Sequence, residues 1–72
     1  MNRDGHEDHP LIGQLVRDIA SGTEGILQAV VHDALPTHTG QARSVRLAYI
    51  RPTGGGVELT TSVDNLQPLR TP

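Results

Sequence analysis

The side chains best suited to chemistry in this chain are histidines that lie beside carboxylates. His6-Glu7-Asp8-His9 places two imidazoles three residues apart with two carboxylates between them, and these are ligand types that metal ions bind. No third ligand at a fixed distance accompanies them, and no rigid element holds them, so the sequence favours a solvated tail. His32 and Asp33 are adjacent and would point to opposite faces of a strand, so they do not form a base with its orienting carboxylate.

Two glycine-rich segments resemble phosphate-binding loops in composition but not in spacing. Gly22-Thr23-Glu24-Gly25 and Gly54-Gly55-Gly56 have backbone N–H groups to offer an anion. The spacing G-x-x-x-x-G-K-[ST] is absent and the chain has no lysine, so turns explain both segments. None of the three serines lies in a G-x-S-x-G context, and there is no cysteine. The sequence therefore predicts a protein that is not an enzyme and needs no cofactor or metal.

The elements that must position these residues can form only one small core. The 72 residues include eight Gly, five Pro and one aromatic residue, Tyr49, and their eighteen branched aliphatics (eight Leu, four Ile, six Val) provide a thin core. We expect a flexible tail over residues 1–10, a single domain over residues 11–70, and marginal stability that a partner would raise. The lack of cysteine favours a reducing compartment, and no apolar run has the roughly 20 residues that cross a bilayer. We therefore expect a cytoplasmic protein without membrane contact.

The second half of the chain predicts a β-hairpin. Two β-prone runs, Ser44–Arg51 and Val57–Val63, flank the turn signal Pro52-Thr53-Gly54-Gly55-Gly56. Alternation along each run defines the face expected to be buried: Val45, Leu47 and Tyr49 on the first, and Val57, Leu59, Thr61 and Val63 on the second. Ahead of the hairpin, the turn formers of Ala34–Ala42 predict a flexible loop.

The first half fits two interpretations. Apolar residues recur at helical spacing over Leu11–Ile19 and again over Ile26–Val31, and Ser21-Gly22-Thr23-Glu24 mimics a capping box. These features suit a helix-loop-helix before the hairpin, which would make an α+β fold. Against it, Gly13 and Gly25 would each cost about 1 kcal/mol inside a helix, and several of the apolar residues are β-branched. Strands joined by a turn at 20–23 suit the same residues, with Leu27 and Val31 on the buried face.

A resemblance favours the strands. The segments that carry it are Gly13-x-Leu15-Val16-x-Asp18, Gly22-x-x-Gly25-Ile26-Leu27, Ala48-Tyr49-Ile50-Arg51-Pro52-x-Gly54-Gly55-Gly56-x-Glu58 and Asp64-Asn65-Leu66-x-Pro68. This pattern resembles that of a group of short, mostly uncharacterised actinobacterial proteins. Its order of elements also resembles that of the small five-stranded barrels of the SH3-like and KOW type. Where the actinobacterial group often carries Trp, this chain has Leu59.

The resemblance implies an all-β fold, a small five-stranded SH3-like barrel. Its strands are expected near Gln14–Asp18, Glu24–His32, Arg43–Pro52, Gly56–Ser62 and Leu66–Leu69. Many binding activities share such a barrel, so the resemblance brings no function with it. With a single aromatic residue, the chain also lacks the aromatic groove that proline-rich ligands need.

The sequence predicts a protein-binding surface with an apolar centre and a charged rim. Alternation places Val30 and Ile50 opposite the faces assigned to the core, so we expect both to be exposed beside Arg46 and Arg51. The open edges of a short barrel also offer sites for strand pairing. The expected partner is another protein or a second copy of this chain.

The alternative function is a KOW-like module that associates with nucleic acid through Arg43, Arg46 and Arg51. The net charge of −2 disfavours it, because three clustered arginines neutralise only a few phosphates. We predict an affinity no tighter than the nonspecific range of about 10⁻⁴ to 10⁻⁶ M, declining with salt. Fluorescence anisotropy with labelled DNA and RNA measures it, and submicromolar binding at physiological salt would reverse the ranking.

Overall fold

Six strands and one 3₁₀ turn make up the described part of the chain. The computed structural model describes residues 6–36, 40 and 42–69. The elements are β1 (His6–Glu7), β2 (Leu15–Asp18), β3 (Glu24–Pro36), β4 (Ala42–Pro52), β5 (Leu59–Ser62), a 3₁₀ turn (Val63–Asn65) and β6 (Leu66–Pro68). These ranges contain no α-helix, so the predicted all-β class is confirmed and the helix-loop-helix alternative is wrong.

The strands form one antiparallel sheet that is not a closed barrel. Neighbouring strands follow the order β5-β4-β3-β2-β6, and β1 pairs with β3 beside β2. Within the described residues, β5 and β6 lie at opposite ends of this path and do not pair with each other. Each of the five predicted strands overlaps one of β2 to β6. However, β3 continues past His32 to Pro36, and β5 begins at Leu59 rather than at Gly56.

A β-bulge in the long β3–β4 hairpin changes which residues face the core. Leu27 lies opposite Ile50 and Ala29 lies opposite Tyr49, so Gln28 has no partner on β4. One extra residue shifts the alternation of β3 by one position, so that Leu27 and Val30 both point to the core. The prediction that Val31 shares the buried face with Leu27 is therefore wrong.

The core is small and lies on one side of the β3–β4 hairpin. It consists of five side chains with no exposed surface, which are Val16, Leu27, Val30, Ala48 and Ile50. Partly buried aliphatic side chains cover it, namely Leu11, Leu59, Val63 and Leu66. On β4 the core thus takes the even-numbered positions. The prediction that the face carrying Val45, Leu47 and Tyr49 is the core face is wrong, because these three residues alternate with Ala48 and Ile50.

The segments outside the hairpin differ in part from the predicted tail and loops. Within the predicted flexible tail, residues 1–10, His6 and Glu7 belong to the sheet, since His6 pairs with Val31 and Glu7 with Val30. Residues 1–5 lie outside the described residues. The predicted loop over Ala34–Ala42 is shorter than expected, because 34–36 and 42 belong to strands, while 37–39 and 41 lie outside the described residues. The predicted glycine turn after Pro52 is confirmed. Val57 precedes β5 and is 90% exposed, contrary to its predicted place on the buried face.

Gly25 allows β3 and β4 to approach each other. It lies opposite Pro52, and a Cβ atom on it would overlap the carbonyl oxygen of Arg51 and lie 2.7 Å from Cγ2 of Ile50. Both obstacles belong to the hairpin that carries most of the core, so neither moves without disturbing the packing. Only glycine fits this position without separating the two strands.

Gly25→Ala is expected to lower the free energy of unfolding by about 3 kcal/mol, because the added methyl group overpacks the strand pair. Gly22→Ala serves as the control. Gly22 has φ of +78° with open space around it, so the change costs about 1 kcal/mol of backbone strain. Chemical denaturation of both variants measures the difference, and equal losses would contradict the role assigned to Gly25.

Candidate functional site

The structure separates the four residues predicted to form an interaction surface. Val30 and Ile50 are both 0% exposed and lie in the core, so the prediction that they form an exposed apolar centre is wrong. Arg46 and Arg51 are exposed. They lie an odd number of residues apart on β4, so their side chains leave opposite faces of the sheet. The predicted patch therefore does not exist as one surface.

An apolar strip instead occupies the opposite face of the same hairpin. Directly opposed residues of antiparallel strands share a face, and the pairs on this side are Ala29 with Tyr49, Val31 with Leu47, and Asp33 with Val45. The outer strip, as we call it, comprises the five half-buried residues Ala29, Val31, Val45, Leu47 and Tyr49. It faces away from the five core side chains.

Polar and charged residues surround the outer strip. On the β5 side, Thr60 pairs with Tyr49 and Ser62 with Leu47; on the β1 side, His6 pairs with Val31. Exposed Arg51 lies at one end of the strip, and exposed Asp33 at the other. The strip thus has an apolar centre and polar flanks, with Arg51 at one end and Asp33 at the other.

Arg46 forms an exposed ion pair with Glu7 of β1. Its Nε lies 3.1 Å from Oε1 and 3.2 Å from Oε2 of Glu7, and its Nη2 lies 3.1 Å from Oε1. Nearby, Ser44, Val45, Arg46, Ser62 and Asp64 line an open depression of about 230 Å³ beyond the end of β5. The guanidinium there is already matched by a carboxylate, which limits its capacity to recruit an anion.

Asp18 is the buried ionisable group of the described core, and its contacts are structural. Its side chain is 2% exposed and accepts four hydrogen bonds, from Ser21 Oγ (2.6 Å), Thr61 Oγ1 (2.8 Å), and the backbone N–H groups of Ser21 (3.2 Å) and Ala20 (3.3 Å). Burial acts to raise its pKa. The hydrogen bonds from the Ser21 and Thr61 hydroxyls and the two backbone N–H groups outweigh burial, so the pKa lies below its ordinary value. A carboxylate held ionised by four donors is poorly suited to act as a general acid.

Two features of the site escaped the sequence analysis. Alternation in the sequence places Val31, Val45, Leu47 and Tyr49 of the strip on apolar faces, but it assigns those faces to the core. Asp18 was noted within a motif without a role, although Asp followed by Ser and Gly three and four residues later is a recognisable turn signal. Its contact with Thr61, 43 residues away, has no signal in the local sequence.

The described residues contain no group of three or more His, Asp or Glu side chains placed to hold a metal ion. Within the same residues, no helix is long and apolar enough to cross a membrane. Comparisons of the chain with protein-family models, with curated proteins and with solved structures give no match.

Asp18→Asn is expected to lower the free energy of unfolding by about 2 kcal/mol at pH 7, because donors that met a carboxylate then meet a neutral amide. The pKa of folded Asp18 lies below its ordinary value of 3.8. Its ionised form therefore stabilises the fold above about pH 4, and this stabilisation disappears as the pH falls through the folded pKa. The difference in the free energy of unfolding between wild type and Asp18→Asn should therefore become smaller as the pH is lowered.

Urea denaturation at pH values from 7 down to 3 measures this gap. Asp8→Asn, which removes an exposed carboxylate, is the control and should leave the free energy of unfolding nearly unchanged. A gap for Asp18→Asn that stays constant with pH would contradict the argument.

Proposed function

We propose that this chain is a non-enzymatic protein–protein interaction module that binds its partner through the outer strip. The observation that carries the proposal is that the β3–β4 hairpin is apolar on both faces. Val30, Ala48 and Ile50 fill the core on one face, while the outer strip lies on the other.

Apolar residues on both faces are typical of strands that are covered on both sides. Ala29-Val30-Val31 and Leu47-Ala48-Tyr49-Ile50 are continuous apolar runs, whereas a strand with one solvated face shows polar residues at every second position. Within the described chain, the core lies on one side of these runs. A partner bound to the outer strip would bury the second apolar face of the hairpin, as these apolar runs favour.

The composition of the outer strip and its surroundings suits a protein partner. Tyr49 contributes a large apolar ring with a polar end, which is favoured at protein interfaces. Polar side chains of Thr60, Ser62 and His6 flank it. An apolar centre inside a polar rim is the common anatomy of such interfaces.

The strand order supports the finer assignment of an SH3-like fold, which we also propose. A path β6-β2-β3-β4-β5 with a 3₁₀ turn between the last two strands of the chain is the order of elements in SH3-like barrels. The likeness in motif order to the short actinobacterial proteins is in keeping with this assignment. Such folds serve many binding activities, so the function is argued from the strip and not from the fold.

Nucleic-acid binding is the weaker candidate. Arg46 is paired with Glu7, and Arg51 leaves the opposite face of the sheet, so the two do not form one basic surface. Recovery of nucleic acid instead of protein is therefore an outcome that would count against our proposal.

Leu47→Glu is expected to weaken partner binding by about tenfold or more, because it places a charge at the apolar centre of the outer strip. The matched control is Val57→Glu, which adds the same charge at an aliphatic residue that is 90% exposed and outside the strip. Quantitative cross-linking and co-purification from the native host compare the proteins retained by wild type and by each variant. Circular dichroism verifies that both variants fold.

The proposal requires a set of proteins that wild type and Val57→Glu retain and that Leu47→Glu loses. Equal retention by the two variants would contradict it. So would a complex that nuclease treatment abolishes.

A further inference from the structure

We infer that the partner seated on the outer strip is a second copy of this chain, packed face to face with its strands reversed, so that Arg51 of each copy faces Asp33 of the other. This inference rests on the proposed role of the outer strip. It adds the identity of the partner and the orientation of the complex.

The charges at the two ends of the strip favour this arrangement. Arg51 lies opposite Ile26 at one end, and Asp33 lies opposite Val45 at the other, six residues along β4. At roughly 3.3 Å per residue, the two ends are about 20 Å apart. A half-turn about an axis that lies in the interface plane and crosses the strands exchanges the two ends, so Arg51 of each copy faces Asp33 of the other. Without strand reversal, like charges would meet instead.

The same half-turn brings complementary side chains together at the centre. With the axis midway between the Tyr49 and Leu47 positions, Tyr49 of one copy packs over Leu47 of the other, and Val31 packs over Ala29. Larger residues thus oppose smaller ones, as interdigitating sheets about 10 Å apart require. In this arrangement Val45 of the second copy lies directly above Arg51. Asp33 of the second copy lies on the neighbouring strand, about 5 Å to the side, and is within reach of the flexible Arg51 side chain.

In the part of the chain that the structure describes, the outer strip remains partly exposed. The Glu7–Arg46 ion pair lies on the core side of the sheet, because Glu7 pairs with buried Val30. The edges of β3 are taken by β4 on one side and by β1 and β2 on the other. The strands at the ends of the sheet are short, four residues in β5 and three in β6, so they offer less for pairing than the outer strip does.

Exchanging the charges of Arg51 and Asp33 tests this arrangement. Arg51→Asp and Asp33→Arg each place like charges at both ends of the interface, so each variant alone should dimerise at least about tenfold more weakly than wild type. Mixed in equal amounts, the two variants restore opposite charges at both ends and should form a one-to-one heterodimer. The double variant, with both changes in one chain, should dimerise with itself.

Sedimentation velocity of the full chain over a range of concentrations measures these states. We expect a concentration-dependent dimer for wild type, loss of the dimer in each single variant, and recovery in the mixture and in the double variant. Recovery also excludes misfolding as the cause of the loss. Single variants that dimerise as wild type does, or a mixture that stays monomeric, would overturn the inference.

The same measurements separate this inference from the proposed function. If wild type is monomeric at all concentrations but still retains proteins in a Leu47-dependent manner, the second copy is not the partner and the outer strip remains a protein-binding surface. If wild type neither dimerises nor retains proteins through Leu47, both proposals fail.

Discussion

The buried carboxylate of Asp18 is the constraint on which the arrangement of the sheet depends. An ionised group removed from water costs several kcal/mol unless donors replace its hydration. Here they come from the turn after β2, through Ser21 and Ala20, and from β5, through Thr61. Thr61 Oγ1 also accepts a hydrogen bond from Asn65 Nδ2 at 3.1 Å. The Asp18 side chain thereby connects the end of β2 to β5 and, through Thr61, to the 3₁₀ turn.

This tie matters because the hydrophobic core is so small. Five fully buried aliphatic side chains and their partly buried neighbours give limited stabilisation, and the chain has no disulfide to supplement them. The 3₁₀ turn held near Asp18 carries Val63 and precedes Leu66, both of which pack against the core. The backbone N–H of Ile19 also donates to the carbonyl of Asn65 at 2.9 Å. Polar contacts around Asp18 thus keep Val63 and Leu66 packed against the hydrophobic core.

Turn chemistry and strand propensity sufficed to predict the class of the fold and the position of most strands. They did not predict which face of the hairpin is inside. Alternation shows that two sets of residues face opposite ways, but on β4 both sets are apolar, so the pattern alone cannot select one. On β3, the unpaired Gln28 then reverses the alternation midway, which a fixed period of two cannot represent. The contact between Asp18 and Thr61 depends on the completed sheet, so no local pattern contains it.

The ambiguity in the sequence and the surface in the structure have one physical origin. A hairpin that is apolar on both faces gains stability when both are covered, and the chain covers one with its own core. The binding that we propose on the second face would stabilise the folded state in proportion to the logarithm of partner concentration, because the unfolded chain does not present the strip. For a domain with so thin a core, the proposed association would therefore be coupled to folding. The residues of the outer strip, which sequence patterning could not assign to the inside or the outside, would then link the folding equilibrium to the binding equilibrium.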